Sequence, residues 1–157
     1  MKIAIGSDKS GFPLKESVKK FLVDTGIDFD DLGTVDLENG IPYYKVAARV
    51  APLVQRGEYT RAVLFCGTGA GMAVIANKHK GVIAVCAESV YGAKMARAIN
   101  NASVLSLGGW VLGAEMAVEI VKTFLNTEFL EGLEDFRKVF LTNAVQEICK
   151  FEEEVYG

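Results

Sequence analysis

The sequence contains a single histidine, His79, only three cysteines, and no run of basic residues. One histidine and three scattered cysteines argue against a zinc site. A net charge of −3 argues against binding to nucleic acid or to an anionic membrane. The amino terminus lacks a signal-peptide hydrophobic stretch, and no apolar run reaches membrane-spanning length. We therefore expect a cytoplasmic protein with reduced cysteines.

Several nucleotide and hydrolase motifs are also missing. The glycine-rich segment C-G-T-G-A-G-M at 66–72 lacks the Gly-Lys-Ser/Thr of a P-loop. Its glycine spacing differs by one residue from the dinucleotide-binding fingerprint. No Gly-x-Ser-x-Gly nucleophile elbow occurs. These absences argue against a P-loop nucleotide-binding protein and against a serine hydrolase.

The apolar pattern along the 157 residues predicts one domain in which strands alternate with helices. The predicted strands are 2–6, 27–32, 62–65, 82–86 and 103–107. The predicted helices are 12–24, 42–54, the turns that follow Gly71, 89–99, 111–125 and 133–154. Such alternation is typical of an α/β fold whose parallel sheet, here of five strands, is covered by helices on both faces.

The segment 62–77, A-V-L-F-C-G-T-G-A-G-M-A-V-I-A-N, is the centre of this pattern. It predicts a buried strand, a tight loop and a helix, and ligands in open α/β sheets bind where such loops follow strands. Gly67, Gly69 and Gly71 allow positive φ and close backbone approach, and free helix N–H groups favour an oxyanion or phosphate. Cys66 has two interpretations: a catalytic thiol whose thiolate the helix dipole favours, or a small hydrophobe filling the strand end.

The last predicted helix, about 133–154, carries more apolar residues than a tail on a finished sheet needs. They are Phe136, Val139, Phe140, Ala144, Val145, Ile148 and Phe151. The helix docks either on its own domain or on a partner subunit. We expect the second, and with it a homodimer or homotetramer, because an exposed apolar patch on a monomer is a liability.

Five short motifs occur in a distinctive order. They are G-S-D at 6–8, C-G-T-G-A-G-M at 66–72, N-K at 77–78 followed by Gly81, A-R-A-I-N-N-A at 96–102, and G-G-W-V-L-G at 108–113. From residue 2 to about 139 the chain resembles the ribose-5-phosphate isomerase B and galactose-6-phosphate isomerase family. The resemblance implies a Rossmann-like three-layer α/β/α sandwich, a dimer or tetramer with active sites at the dimer interface, and no metal or cofactor.

The resemblance also implies a reaction and roles for particular residues. Aldose–ketose isomerases of this family move a proton between C1 and C2 through a cis-enediolate, which needs a base, oxyanion donors and groups that fix hydroxyls. By resemblance Cys66 is the base and Thr68 moves protons between the two oxygens. The N–H groups of the loop that contains Gly67, Gly69 and Gly71 hold the enediolate. Asp8 and Asn100 bind substrate hydroxyls.

Two positions depart from the family where it opens the sugar ring. Lys9 stands where the family usually has a histidine, and Ile99 replaces the histidine that opens the ring. Isoleucine cannot transfer a proton, so the substrate is either opened by another group or already open. Lys9 either binds a phosphate or carboxylate of the substrate or is a solvated loop lysine.

The family's phosphate clamp is altered as well. Trp110 and Glu134 occupy arginine positions, and the other arginine falls on Lys138 or, with a one-residue slip, on Arg137. The sequence therefore predicts an isomerase whose sugar is unphosphorylated, carries its anion elsewhere or cannot cyclise. The alternative is a non-catalytic or half-site subunit of a hetero-oligomeric isomerase.

Overall fold

The computed structural model describes residues 1–157 and contains five strands and six helices in the predicted alternating order. The strands are β1 Lys2–Ser7, β2 Asp28–Asp31, β3 Ala62–Cys66, β4 Ala84–Cys86 and β5 Val104–Gly108. The helices are α1 Phe12–Asp24, α2 Tyr43–Gln55, α3 Ala70–Ala76, α4 Val90–Ala98, α5 Ala114–Asn126 and α6 Asp135–Tyr156. None of the helices has the length and apolar character that a membrane crossing requires.

The five strands form one parallel sheet in the order β2-β1-β3-β5-β4. All five residues of the central strand β3 are buried, as its unbroken apolar run predicts. The edge strand β2 has the sequence DFDD and is only partly buried. Because helices cover both faces, the predicted Rossmann-like three-layer α/β/α fold is confirmed.

Two hydrophobic cores lie on opposite faces of this sheet, because successive strand residues point in opposite directions. Ile5, Phe65 and Leu107 pack with α1, α4 and α5 on one face. Leu64 and Cys66 pack with α2 and α3 on the other face. The alternation therefore places the Cys66 side chain on the face that carries the short helix α3.

The predicted start of the fifth helix at residue 111 is wrong by three residues, since α5 begins at Ala114. The turn before it is held against the loop that follows β3. Gly109 N–H donates to the Cys66 carbonyl at 2.8 Å, and Trp110 N–H donates to the Gly67 carbonyl at 2.9 Å. These long-range bonds keep residues 109–113 out of the helix.

A network of buried charge closes the amino edge of the sheet. Arg61 donates to the carbonyls of Phe124 and Leu125 at the end of α5, and Arg97 donates to the Thr127 carbonyl. Burial lowers the pKa of Arg97, with the neighbouring positive charge of Arg61 acting in the same direction. The two guanidinium groups thus satisfy carbonyls that the helix end leaves without partners.

Helix α6 has no buried residue. Its contacts with the body of the chain include an ion pair between Lys80 and Glu153 at 2.5 Å and a hydrogen bond from Gly81 N–H to Glu152 at 3.0 Å. Phe136, Phe140 and Phe151 are more than half exposed. Packing of this helix on a partner subunit stays a prediction.

Candidate active site

A cavity of about 280 Å³ opens at the carboxyl edge of the sheet, where β1 and β3 end. It is lined by Asp8, Ser10, Tyr43, Cys66, Gly67, Thr68, Gly71 and Trp110. Five of the predicted site residues, from the loops after β1 and β3, therefore meet here: Asp8, Cys66, Gly67, Thr68 and Gly71. Ligands of open α/β sheets bind at this edge.

Cys66 is the last residue of β3 and is almost fully buried. Its Sγ accepts a hydrogen bond from the Gly69 N–H at 3.2 Å. A donor aimed at the sulfur stabilises a thiolate, which is the form that can remove a proton. Cys66 thus packs in the core against α2 and α3 and also lines the cavity with a donor aimed at its sulfur, so its role as a reactive thiol stays a prediction.

The loop that follows Cys66 requires glycine for reasons of shape. Gly69 has φ of 84°, in the left-handed region, and immediately precedes α3. The rings of Trp110 and Tyr43 lie against the backbone of Gly67 and Gly71, where any side chain would collide with them. The predicted importance of Gly67, Gly69 and Gly71 therefore has a steric cause, and the two aromatic rings form walls of the cavity.

Asp8 is held by the loop after β1. Its Oδ1 accepts from the Gly11 N–H at 2.8 Å, and its own N–H donates to the Phe65 carbonyl at 3.2 Å. A β carbon at Gly11 would lie 2.3 Å from the Phe65 backbone, so the two loops touch directly. This contact fixes the Asp8 carboxylate beside Cys66.

Lys9 does not line the cavity. Its aliphatic stem occupies the space that a side chain at Gly40 would fill. Hydrogen bonds from Asn39 hold the pKa of Asp36 below its usual range, and the charge of Lys9 adds to this effect. In this chain the Lys9 stem therefore lies on the turn around Asp36.

Asn100 and Lys138 do not line the cavity either. Helix α4 runs antiparallel to the strands, so residues 99–101 lie at the amino edge, opposite Cys66. There Ile99 lines an apolar groove with Leu133, Phe136, Arg137, Phe140 and Leu141. Lys138 forms an ion pair with Asp135 at 3.7 Å. The length of the sheet thus lies between these residues and Cys66 of the same chain.

A larger cavity, of about 630 Å³, lies at the amino edge between α6 and the arginine network. Glu128 forms ion pairs with Arg61 at 2.8 Å and with Arg97 at 3.8 Å. These charges are matched to one another and to the end of α5. We therefore assign the chemistry to the smaller cavity around Cys66.

Two residues at the site were missed by sequence reasoning. Ser10, in the loop after β1, lines the cavity, and Ser106 of β5 supports the Cys66 loop by donating its buried hydroxyl to the Gly69 carbonyl. A serine between Leu105 and Leu107 in an otherwise apolar strand was a signal for the second of these. No local pattern identifies the first.

Comparisons with known proteins agree with this geometry. The model of the family described as Ribose/Galactose Isomerase matches residues 3–140. The chain belongs to the ribose/galactose isomerase family. A ribose-5-phosphate isomerase B structure from Clostridium thermocellum is 35% identical, superposes with a TM-score of 0.88 and is covered over 99% of both chains. The family resemblance and the α/β fold are confirmed.

Two curated relatives are named as isomerases of four-carbon sugars. The chain is 48% identical over 156 residues to 4-deoxy-4-sulfo-D-erythrose isomerase of Clostridium sp. (strain MSTE9), covering 99% of this chain and 98% of that one. It is 40% identical over 154 residues to D-erythrulose-4-phosphate isomerase 2 of Mycolicibacterium smegmatis, covering 97% of each. The protein is an aldose–ketose isomerase of this family.

Proposed function

We propose that this isomerase interconverts a four-carbon aldose and its ketose that carry a sulfonate at C4, the class to which 4-deoxy-4-sulfo-D-erythrose belongs. The observation that carries the proposal is Ile99, an isoleucine where the family resemblance places a ring-opening histidine. The relative that is 48% identical is named for this substrate.

The chemistry of ring closure explains why a histidine is unnecessary. A four-carbon aldose closes a five-membered ring only through a hydroxyl on C4. A sulfonate bonded directly to C4 removes that hydroxyl, and a phosphate ester blocks it. Because such a substrate stays open, no group has to move protons between the anomeric hydroxyl and the ring oxygen. An apolar side chain at position 99 therefore does not slow the reaction.

The size of the cavity supports a short substrate. Its volume of about 280 Å³ is at the lower end of the range for small-molecule sites, roughly 300–1,000 Å³. Trp110 and Tyr43 narrow it by covering the backbone of the Cys66 loop. The part of the site that one chain contributes is therefore small, which favours a short sugar.

The cations near Ile99 favour a sulfonate over a phosphate. Arg137 lines the groove beside Ile99, and its guanidinium lies 3.8 Å from the Glu134 carboxylate. A phosphate monoester carries roughly 1.5 to 2 negative charges at pH 7, whereas a sulfonate carries one. One arginine that is already partly neutralised by a glutamate suits the monoanion.

The proposed mechanism uses the groups around Cys66. The Cys66 thiolate removes the proton from C2 of the aldose, and the electron pair forms the C1–C2 double bond of the enediolate, with the negative charge on O1. N–H groups of the 67–71 loop stabilise this oxyanion, and the Thr68 hydroxyl passes the O2 proton to O1. Cys66 then returns its proton to C1, which gives the ketose. Asp8 holds a substrate hydroxyl.

A second copy of the chain completes the site in this proposal. The groove of Ile99 and the adjoining apolar face of α6 lie at the edge away from Cys66, so they serve the reaction only when a partner presents them. The exposed residues Phe136, Val139 and Phe140 supply apolar surface for that contact. Asn100 and either Arg137 or Lys138 then reach the substrate from the partner subunit. Lys9 remains a further candidate for its anionic end.

The test is a substrate comparison followed by NMR in D₂O. We expect efficient conversion of 4-deoxy-4-sulfo-D-erythrose, weaker conversion of D-erythrulose 4-phosphate, and little conversion of ribose 5-phosphate. One deuterium incorporated at C1 of the sulfonated ketose identifies the enediolate route. Faster turnover of ribose 5-phosphate than of the sulfonated tetrose contradicts the proposal. Absence of turnover on all three favours the non-catalytic subunit.

A further inference from the structure

Two side chains, one on β5 and one on β4, hydrogen-bond to carbonyls of the peptide units that follow Cys66. Ser106 of β5 donates its hydroxyl to the Gly69 carbonyl at 2.5 Å. Cys86 of β4 donates its thiol to the Thr68 carbonyl at 3.7 Å. Two consecutive carbonyls of the candidate oxyanion loop thus point toward the sheet.

These contacts set the direction of the N–H groups in the same peptide units. In a trans peptide the C=O and N–H bonds point in opposite directions. Holding the Thr68 carbonyl at Cys86 therefore turns the Gly69 N–H the other way, where it meets Cys66 Sγ at 3.2 Å. Holding the Gly69 carbonyl at Ser106 turns the Ala70 N–H away from β5.

Burying the Ser106 hydroxyl would destabilise the fold if this hydrogen bond were not made. The residue is fully buried, and its neighbours on β5, Leu105 and Leu107, are fully buried too. A hydroxyl buried without a partner is destabilising, and the contact made by the Ser106 hydroxyl is with the loop carbonyl. Gly69 is the residue before α3, and the Ser106 hydroxyl supplies a hydrogen-bond partner to its carbonyl.

Cys86 is suited to act as a donor. Burial raises the pKa of the Cys86 thiol, and the charges of Glu88 and Cys66 raise it further, so the thiol keeps its proton at neutral pH. The pairing of β3, β5 and β4 places Cys66 opposite Gly108 and Cys86 opposite Ser106. Since β5 separates the two cysteines and they are offset along it, they are too far apart for a disulfide.

We propose that Ser106 and Cys86 are positioning residues, which orient the peptide units of the 68–70 loop so that its N–H groups stabilise the Cys66 thiolate and the enediolate. The inference rests on the proposed role of Cys66 and extends it to the strands behind the loop. Neither side chain needs to touch the substrate. Their effect is expected on the chemical step and on the reactivity of Cys66.

The experiment compares Ser106→Ala and Cys86→Ala with two controls. Ser103→Ala is the matched control, because Ser103 also bonds its hydroxyl to backbone, that of Ile83, but lies at the amino edge. Cys86→Ser keeps a donor at position 86. For each purified protein we would measure kcat and KM, the thermal midpoint, and the rate of iodoacetamide alkylation of Cys66 against pH, read by peptide mass spectrometry.

In Ser106→Ala we expect kcat to fall about tenfold while KM changes less than about twofold, the pattern of an interaction made chiefly in the transition state. The alkylation curve of Cys66 should move to higher pH, although the charged and titratable groups around it, Asp8, Tyr43 and Cys86, are unchanged. Cys86→Ala should show a smaller change of the same kind. Cys86→Ser and Ser103→Ala should leave the curve in place.

An alkylation curve that does not move in either alanine variant overturns the inference, whatever happens to kcat. So does an equal shift in Ser103→Ala, which would mark a general loss of packing. If Ser106→Ala fails to fold, Cys86→Ala with its serine control decides the matter alone. Because alkylation needs no sugar, this result is independent of which substrate the isomerase proves to use.

Discussion

The indole ring of Trp110 lies directly on Gly67: a β carbon added at Gly67 would come within 2.8 Å of Cε3 and Cζ3 of the ring. The backbone of the same tryptophan donates to the Gly67 carbonyl at 2.9 Å. One residue of the turn before α5 therefore braces the Cys66 loop and also forms a wall of the cavity.

Removing this wall should relax selection for substrate length. In Trp110→Ala we expect KM for the four-carbon substrate to rise about tenfold, because one aromatic contact is lost. Longer phosphorylated sugars should gain relative to it. Trp110→Phe keeps an aromatic face and serves as the control. Unchanged kinetics for every chain length in Trp110→Ala would show that the ring does not border the substrate.

Cys66→Ser should abolish most of the proton transfer. A hydroxyl is a far weaker base than a thiolate, so kcat should fall by about 10² or more, while the thermal midpoint stays close to that of the unmodified protein. Deuterium exchange at the ketose C1 should slow equally. Cys149→Ser, at an exposed position, is the control. Exchange at a normal rate in Cys66→Ser would identify a different base.

Ile99→His should bring back activity on a substrate that cyclises. We expect kcat/KM for ribose 5-phosphate to rise at least about tenfold, since general acid–base assistance is commonly worth 10²–10⁴ when well aligned. Activity on the sulfonated tetrose should not improve, because that sugar has no ring to open. Ile99→Leu preserves the apolar groove and should change neither. A gain on both substrates alike would point to an effect on folding.

Sites shared between two copies can be tested by complementation. Cys66→Ser and Asn100→Ala should each be inactive or weak alone. After co-expression, hybrid dimers should recover about a quarter of the unmodified activity, since half the dimers are hybrids and each has one intact site. Phe140→Asp in both chains should abolish the dimer in light scattering. No recovery in the mixture would mean that Cys66 and Asn100 do not serve one site.

The pH dependence of stability should reflect Asp30. The Tyr59 hydroxyl donates to this carboxylate and Lys2 lies 2.9 Å from it, and these contacts lower the Asp30 pKa from 3.8, the Tyr59 hydrogen bond most. A lowered carboxyl pKa contributes stability above the unfolded-state value, and the contribution is lost as pH falls through the folded-state value.

Tyr59→Phe should therefore be less stable than the unmodified protein near neutral pH. The difference between the two in urea unfolding should shrink as pH falls through the lowered folded-state pKa of Asp30. Tyr91→Phe, at an exposed position, is the control. A constant difference at all pH values would contradict this assignment.

The sequence by itself determined the alternation of strands and helices and the position of the ligand loop after Cys66, because patterns of neighbouring residues predict both. An unbroken apolar run such as 62–65 predicts a buried parallel strand, and closely spaced glycines after it predict a ligand loop. It also located the departure at Ile99, which bears on the substrate.

Only the tertiary structure decided the relationships that depend on strands far apart in the chain. The insertion of β5 between β3 and β4 brings Ser106 behind Gly69, and no local pattern specifies that order. Lys15 is fully buried because Asp31, the last residue of β2, and the Thr34 carbonyl, which follows it, accept from its ammonium at 2.5 Å. Asn100 lies opposite Cys66 because α4 carries the chain back to the amino edge. Long-range packing, which a single sequence does not display, places these groups.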